Sequence, residues 1–269
     1  DVDRKDIVQH IVGEQSTSTN TRAVSPSDEI LMSVKGLTKH KTFTNMSFDL
    51  HKGEILGIAG LVGSKRTELL RAIYGADPYD EGQIMLEGEE LVGFDLREAK
   101  DRGLAFVPED RKAQGLIGDL SVKENLTITV LKEISNNKVL DAEKETSVAT
   151  HQVKQTNIKT SSLDASINSL SGGNQQKVVL GKWLATEPKV LLLDEPTRGV
   201  DVGAKAEILA LLDDLASRGA GIIFVSSELE EVLTISDRVL VMYNGKIVDE
   251  FAKENPKTLE DVMFAASGN

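Results

Sequence analysis

Short apolar runs recur along the chain from residue 30 onward. They occupy residues 55–61, 104–107, 190–193 and 222–225. Runs that are apolar throughout, without alternating polar positions, are typical of strands buried on both faces of a parallel sheet. The pattern therefore predicts an α/β domain.

A helix is predicted between the last two runs, over residues 204–218. Its apolar residues recur at helical spacing, and Gly219 follows as a stop signal. These apolar residues are Ile208, Leu211, Leu212 and Leu215. The segment thus completes a strand–helix–strand unit.

Residues 121–186 have a more helical pattern. Ser121 and Glu124 form a capping-box pair, which predicts the start of a helix. Further helices are predicted over residues 67–73 and 175–184. The polar stretch of residues 136–162 indicates no particular element.

A polar segment precedes the predicted domain. Residues 14–28 read EQSTSTNTRAVSPSD, with few large apolar side chains. Such a segment buries too little surface to offset its ordering entropy, so we predict a mobile linker over residues 14–29. An ordered surface loop is the alternative. The domain itself is predicted to occupy residues 30–269.

The first thirteen residues resemble the last ones. Asp6 is followed by Ile-Val and then by Gly13, and Asp261 is followed by Val-Met and then by Gly268, at the same offset. This loose match predicts that residues 1–13 are the tail of a preceding, related domain. A cloning remnant is the alternative.

Composition and charge narrow the function. The chain of 269 residues is long enough for a sizeable core, and its net charge of −12 argues against a nucleic-acid partner, which would need clustered Lys and Arg. The absence of cysteine excludes disulfides and thiol catalysis. No stretch is apolar enough to span a bilayer, and no signal peptide is visible, so we expect any membrane connection to run through a partner.

Residues 60–67, GLVGSKRT, lie between a predicted strand and a predicted helix. Glycine-rich loops in this context direct backbone N–H groups toward phosphates. Candidate phosphate-binding residues are Gly60, Gly63, Ser64, Lys65, Arg66 and Thr67, and Thr67 could also bind Mg²⁺. The loop departs from the consensus G-x-x-x-x-G-K-[ST], with Lys65 for the last glycine and Arg66 for the lysine. An ordinary strand-to-helix turn is the alternative.

Two carboxylates end the apolar run of residues 190–193. In nucleotide hydrolases, an aspartate in this context holds Mg²⁺ and the next acidic residue polarises the attacking water. Asp194 and Glu195 are the candidates for these two roles. A plain strand-end cap is the alternative interpretation.

A third motif occupies residues 170–177, LSGGNQQK. A serine and two glycines before a helix can form a second phosphate site from exposed N–H groups. We take Ser171, Gly172, Gly173 and Gln175 as its candidate residues. Its place shortly before the strand ending in Asp194 makes a simple helix cap a weaker explanation.

Together these motifs resemble the ABC ATPase family over residues 30–269. LSGGNQQK resembles the signature, LLLDEP the Walker B strand, and GLVGSKRT the Walker A loop. By the same resemblance Glu109 stands at the Q-loop, Asp201 at the D-loop, and Ser227 at the switch position, where it is a catalytic candidate beside Glu195.

The family resemblance implies a P-loop NTPase-like ABC cassette. Its expected parts are a mostly parallel core sheet, an antiparallel β subdomain and a helical signature subdomain at about residues 110–186. The implied cofactors are ATP and Mg²⁺. The implied reaction is ATP hydrolysis between two cassettes that face each other head to tail.

The departures resemble one branch of the family. Arg66, PEDR at the Q-loop, DEPTRGVDVGAK after Walker B, and SSE at the switch are similar to the second cassette of ribose/galactose-type importers. That resemblance implies a preceding cassette in the same polypeptide, permease subunits as membrane partners, and an external solute-binding protein as an indirect partner. It also implies a peripheral location on the cytoplasmic face of the bacterial membrane.

An arginine at the position of the Walker A lysine replaces a compact charge by a planar fork. We therefore expect this half to lend its signature to a competent site elsewhere and to have a slow site of its own. The rival functions are a soluble ABC protein acting on ribosomes or DNA and a non-hydrolysing nucleotide-binding module.

Three further expectations concern single residues. His40 or Phe43 could lie against adenine, or Phe43 could be core. Trp183 is expected to serve packing. Leu116, Ile117 and Leu120 are expected to dock onto the membrane partner, with burial in the helical subdomain as the alternative.

Overall fold

The computed structural model describes residues 25–252 and 255–268. The predicted tail of residues 1–13, and residues 14–24 of the predicted linker, lie outside that range. At the end of the predicted linker, Ser27 N–H donates to the Lys52 carbonyl at 3.0 Å, and Lys52 N–H donates to the Glu29 carbonyl at 2.9 Å. The boundary between linker and domain stays a prediction.

Twelve strands are present in the described part of the chain. They are β1 (Ile30–Lys39), β2 (Phe43–His51), β3 (Ile55–Gly60), β4 (Glu81–Leu86), β5 (Glu89–Glu90), β6 (Leu104–Val107), β7 (Ser135–Asn136), β8 (Val139–Leu140), β9 (Val190–Asp194), β10 (Gly221–Val225), β11 (Arg238–Tyr243) and β12 (Lys246–Ala252).

Eight α-helices connect and cover these strands in the same described ranges. They are α1 (Arg66–Ile73), α2 (Leu96–Asp101), α3 (Val122–Thr127), α4 (Ala142–Gln155), α5 (Gly172–Leu184), α6 (Val202–Ser217), α7 (Leu229–Ile235) and α8 (Leu259–Ala266). A π-helical turn covers Arg111–Gly115. Short 3₁₀ turns cover Ile128–Val130 and Ile167–Ser169.

The strands form the two large sheets that the sequence and its family resemblance predict. The core sheet has the order β12-β11-β3-β10-β9-β6, and every neighbouring pair is parallel except β11 with β12. A second sheet, β2-β1-β4-β5, is antiparallel. The helices α3, α4 and α5 pack together as a helical subdomain. The predicted fold class is confirmed.

The core sheet is buried on both faces, as its uniformly apolar strands predict. On β3, Leu56 and Ile58 face the antiparallel sheet and α1, whereas Ile55 and Ala59 face the opposite layer of helices. A third, smaller cluster lies inside the helical subdomain. It contains Val122, Leu126, Ala149, Ile158, Ile167 and Val178.

Strand order decides where the motifs meet. The strands β3, β10, β9 and β6 are consecutive and parallel, so their carboxyl ends lie at one edge of the sheet. The segments that follow them contain residues 60–67, Ser227, Glu195 and Glu109. This edge is where open α/β sheets bind ligands.

Two helices differ from their predicted form. The helix α5 begins at Gly172, three residues before the predicted start, so the signature glycines belong to its first turn. The polar stretch that suggested no element contains the hairpin β7–β8 and α4. The buried face of α4 includes Glu145 and Gln152 beside Ala149, which hides its helical periodicity.

Candidate functional site

The loop of residues 60–67 wraps from β3 into α1. A Cβ on Gly60 would lie 2.6 Å from Ser64 Oγ and 2.7 Å from the Met242 carbonyl oxygen, so the loop needs a glycine there. Lys65 immediately precedes α1 and has a left-handed backbone, with φ at 80°. This conformation explains why the consensus has glycine at that position, because a side chain there is strained. The Lys65 ammonium pairs with Glu68 at 2.9 Å.

Arg66, at the position of the Walker A lysine, is buried and turned toward neighbouring loops. Its Nη1 donates to the Ser226 carbonyl at 2.7 Å, and its Nη2 lies 3.9 Å from Glu195 Oε1. Burial lowers the pKa of Arg66, and the two nearby carboxylates of Asp194 and Glu195 oppose that shift. The guanidinium therefore ties the start of α1 to the ends of β9 and β10.

Asp194 ends β9 as a buried carboxylate. Burial is the largest cause that raises its pKa, to about 6, and the neighbouring Glu195 charge adds to the shift. The Thr67 hydroxyl and Arg66 act in the opposite direction. Neither carboxylate oxygen has a hydrogen-bond partner of good geometry among the described residues. A buried carboxylate beside a hydroxyl fits a magnesium ion, which prefers oxygen ligands.

Glu195 follows at once and is held in a defined place. Its backbone is left-handed, with φ at 51°, and its N–H donates to the Val225 carbonyl at 2.9 Å. Its Oε2 accepts a hydrogen bond from Ser227 Oγ at 3.0 Å. A non-glycine residue in this conformation is uncommon and often marks a functional site. The two predicted catalytic residues are thus in direct contact.

A residue that the sequence analysis did not select, Glu231, supports this arrangement from α7. Its buried Oε2 accepts from Thr197 Oγ1 at 2.7 Å and from Ser226 Oγ at 2.9 Å. Lys205 lies 2.5 Å from its other oxygen. Glu231 therefore fixes the segment after β9 to the segment after β10. Its position on an otherwise ordinary helix gave no local signal of this role.

The signature residues form a separate set on the helical subdomain. Ser171 is exposed and caps α5, accepting from Asn174 N–H. Gly173 is buried against α6, where a Cβ would lie 2.5 Å from Ala204 Cβ. Gln175 is buried, and its Nε2 donates to the Ile167 carbonyl at 3.2 Å. Ser171 and Gly172 thus lie at the surface-facing end, whereas the Gln175 side chain points inward.

Glu109 and Asp201 make their contacts at the segment that leads from β9 into α6. The Glu109 carboxylate forms an ion pair with Arg198 at the start of the D-loop segment, residues 198–201. Asp201 caps α6 by accepting from Ala204 N–H at 2.9 Å, and this hydrogen bond lowers the pKa of Asp201. Arg111, absent from the candidate residues, also reaches the D-loop segment.

The remaining single-residue expectations are resolved by burial. Phe43 belongs to the hydrophobic core, which confirms its packing alternative, and His40 is exposed beside Glu81. Trp183 packs against Tyr74 in an edge-to-face contact with ring centroids 5.9 Å apart. Packing is thus confirmed for Trp183.

The predicted docking residues divide into two kinds. Leu116 is partly buried and packs against two hydrophobic clusters, so the alternative of burial holds for it. Ile117 is 45% exposed, and Leu120 is partly exposed on the same loop. The side chain of Asn125 fixes this loop by accepting from Ile117 N–H at 2.8 Å and donating to the Ile117 carbonyl at 3.1 Å.

Two features are absent from residues 25–252 and 255–268. No cluster of three or more histidine, aspartate or glutamate side chains is placed to hold a metal ion by itself. No helix in these ranges has the length and apolar character needed to cross a bilayer.

Comparison with solved structures supports the fold. A nucleotide-free ATP-binding cassette from an ABC transporter superposes with a TM-score of 0.75, at 21% identity, over 89% of this chain and 96% of that one. A dimeric cassette in a post-hydrolysis state, bound to ADP and phosphate, gives a TM-score of 0.74 at 23% identity, over 84% and 100%.

Comparison with curated sequences gives nearer relatives. A putative ribose/galactose/methyl galactoside import ATP-binding protein of Agrobacterium fabrum is 46% identical over 267 residues, 98% of this chain and 52% of the relative. The ribose import ATP-binding protein RbsA of Geobacillus kaustophilus is 46% identical over 263 residues, 98% and 53% respectively. The chain therefore spans about half the length of these relatives. The family model described as ABC transporter matches residues 43–198, and with the fold and the three motifs this shows that the chain belongs to the ABC transporter family.

Proposed function

We propose that this chain is an ATP-binding and ATP-hydrolysing cassette that energises the import of a sugar or related small solute. The observation that best supports this proposal is that Thr67, Asp194 and Glu195 lie close together, at the carboxyl ends of β3 and β9. The printed names of its relatives, which describe ribose and galactoside import, support the solute class.

The nucleotide would bind at the loop of residues 60–67. The first turn of α1 has free N–H groups, and a helix N-terminus favours the negative charge of phosphates. Thr67 and Asp194 would hold Mg²⁺, which when bound would neutralise charge on the phosphate oxygens.

Hydrolysis would transfer the terminal phosphoryl group to water. The bond from phosphorus to the bridging oxygen breaks, and a bond to the water oxygen forms. Glu195 would accept a hydrogen bond from this water and orient it. Ser227 donates a hydrogen bond to Oε2 of Glu195, and Oε1 is the oxygen that lies near Arg66.

We further propose that this nucleotide site is the weaker of two. Arg66 donates to the Ser226 carbonyl and lies near Glu195, so binding a phosphate would require it to leave these contacts. Lys65 adds a strained side chain to the loop. The signature end of α5 is capped and free of such departures. This contrast favours a chain that lends its signature, residues 171–175, to a competent site on a partner cassette.

The partner cassette is proposed to lie in the same polypeptide, because the curated relatives are about twice as long. The resemblance of residues 6–13 to residues 261–268 favours a cassette that precedes this one. Residues 1–13 would be its tail and residues 14–29 the linker. Permease subunits would dock near the exposed Ile117, and an external solute-binding protein would act through them. This arrangement would place the chain at the cytoplasmic face of the membrane.

A second candidate function is a nucleotide-binding module without hydrolysis. The contacts of Arg66 and the presence of Ser227 at the switch position favour it. The position of Glu195, held and adjacent to the proposed magnesium ligand, favours hydrolysis. The two functions differ in a single measurable property, which is turnover.

The test is ATP binding and steady-state turnover by the purified chain and by Glu195→Gln. Slow turnover by the parent chain, reduced about 100-fold or more in Glu195→Gln while binding is retained, supports hydrolysis. Glu230→Gln, at an exposed position on α7, is the matched control and should match the parent chain. Binding without turnover supports the module, and no ATP binding overturns both.

A further inference from the structure

Arg111 extends from the segment after β6 to the D-loop segment. Its Nη1 donates to the Arg198 carbonyl at 2.9 Å, and its Nη2 donates to the Gly199 carbonyl at 3.3 Å. Both acceptors are main-chain atoms. The two bonds use the planar fork of the guanidinium, which a lysine ammonium cannot reproduce.

The same guanidinium fills the space beside the signature. A Cβ on Gly172 would lie 2.7 Å from Arg111 Nη2 and 3.1 Å from the Gly199 carbonyl oxygen. The Nε atom of Arg111 is buried and has no hydrogen-bond partner among the described residues. Gly172 thus leaves room for the guanidinium between the signature and the D-loop segment.

The backbone around Arg111 is connected to α5, the helix that begins at the signature. Arg111 starts the π-helical turn, and Asp110 caps this turn by accepting from Lys112 N–H and Ala113 N–H at 3.0 Å each. At the other end of the turn, buried Lys182 of α5 donates to the Gly115 carbonyl. The turn is therefore joined to α5 by the hydrogen bond between Lys182 and Gly115.

The D-loop segment is in turn connected to the catalytic carboxylate. The Arg198 N–H donates to the Glu195 carbonyl at 3.1 Å and closes the turn that begins at Glu195. The carbonyl of the same Arg198 accepts the hydrogen bond from Arg111. The nearby ion pair of Glu109 with Arg198 is between exposed side chains, 40% and 63% accessible, and such pairs contribute little.

We propose that Arg111 is a positioning residue that fixes the signature end of α5 to the turn containing Glu195. A phosphate bound at the signature would thereby be connected, through Arg111, to the Glu195 carboxylate of the same chain. The consequence for hydrolysis rests on the proposed function, whereas the connection itself does not.

The test measures backbone amide exchange in Arg111→Ala, Arg111→Lys and Arg198→Ala. Arg111→Ala should raise exchange about tenfold in residues 172–177 and 198–204, as expected when charge-assisted hydrogen bonds are lost. Arg111→Lys should raise it less, because one bond can be kept. Arg198→Ala is the matched control, because it removes the ion pair with Glu109 but keeps the main-chain carbonyl that accepts from Arg111. In this control, residues 172–177 should exchange as in the parent chain.

Unchanged exchange in Arg111→Ala, or equal increases in Arg111→Ala and Arg198→Ala, would overturn the proposal. If Arg111→Ala does not fold, Arg111→Lys decides: an increase confined to the two segments supports the proposal, and unchanged exchange overturns it. ATP turnover is measured in parallel. There, kcat should fall with KM for ATP unchanged, because Arg111 lies outside the loop of residues 60–67. Absence of turnover in the parent chain would count against the proposed function and leave the exchange result standing.

Discussion

The Ser227 hydroxyl donates a hydrogen bond to Glu195 Oε2 at 3.0 Å, which joins the residue after β10 to the carboxylate after β9. Glu195 is thereby held on one side by Ser227 and on the other by the Arg66 guanidinium, 3.9 Å from Oε1. The Glu195 carboxylate therefore lies between a hydroxyl donor and a positive charge.

The first prediction concerns this contact. Ser227→Ala should lower kcat for ATP about tenfold, because a hydrogen bond to a charged group contributes roughly 1.5–3 kcal/mol and here orients the proposed base. The KM for ATP should change little. Ser217→Ala, at an exposed position at the end of α6, is the control for serine removal. Equal kcat in Ser227→Ala and the parent chain would show that Ser227 does not orient Glu195.

The second prediction concerns the proposed division of labour between two sites, and it is measured in a polypeptide that carries both proposed cassettes. Ser171→Arg should abolish most ATP turnover, because it blocks phosphate docking at the exposed end of α5, and losing one good contact at a working site costs about 100-fold or more. Arg66→Ala should cost much less, since Arg66 is engaged with Ser226 and Glu195. Equal losses in both variants would contradict the asymmetric arrangement.

The third prediction concerns pH. Burial raises the pKa of Asp194 to about 6, so the folded chain without metal binds this proton more tightly than the unfolded chain. Its contribution to the free energy of unfolding therefore falls as pH rises from about 4 to about 6 and is lowest above that window. Asp194→Asn should raise stability at pH 7 by about 2–3 kcal/mol, and this gain should shrink as pH falls toward 4.

Melting curves between pH 4 and pH 8, in the absence of Mg²⁺, measure this difference. Asp119→Asn is the control, because Asp119 is exposed. A stability gain in Asp194→Asn that does not depend on pH would show that the carboxylate is not the origin of the effect.

The fourth prediction compares two neighbours on the loop after Arg111. Leu116→Asp should destabilise the chain by about 2–4 kcal/mol, because Leu116 packs against two hydrophobic clusters and a carboxylate among apolar side chains loses hydration. Ile117→Asp should leave the melting temperature unchanged, because Ile117 is 45% exposed. In the proposed complex with permease subunits, Ile117→Asp should still impair transport. Normal transport by a stable Ile117→Asp protein would remove Ile117 from the docking surface.

Elements with local signals could be predicted from the amino-acid sequence alone. Uniform apolar runs predicted the strands β3, β6, β9 and β10 within a residue of their observed bounds, because burial on both faces requires apolar side chains at every position. The capping pair of Ser121 and Glu124 correctly predicted the start of α3. The glycines and polar residues at strand ends predicted which segments carry the candidate chemistry.

Contacts between distant side chains could not be predicted in this way, because they depend on the tertiary structure. Arg111 and Arg198 are 87 positions apart, and Ser227 and Glu195 are 32 apart, so their contacts depend on the order of strands in the sheet. The same holds for Glu231, whose buried carboxylate joins two loops from an unremarkable helical position. The helix α4 escaped prediction because polar Glu145 and Gln152 lie on its buried face, where packing partners and not periodicity determine burial. Local patterns thus fix the elements, whereas the pairing of distant segments fixes the site, because a hydrogen bond between them forms only after strand order has brought them together.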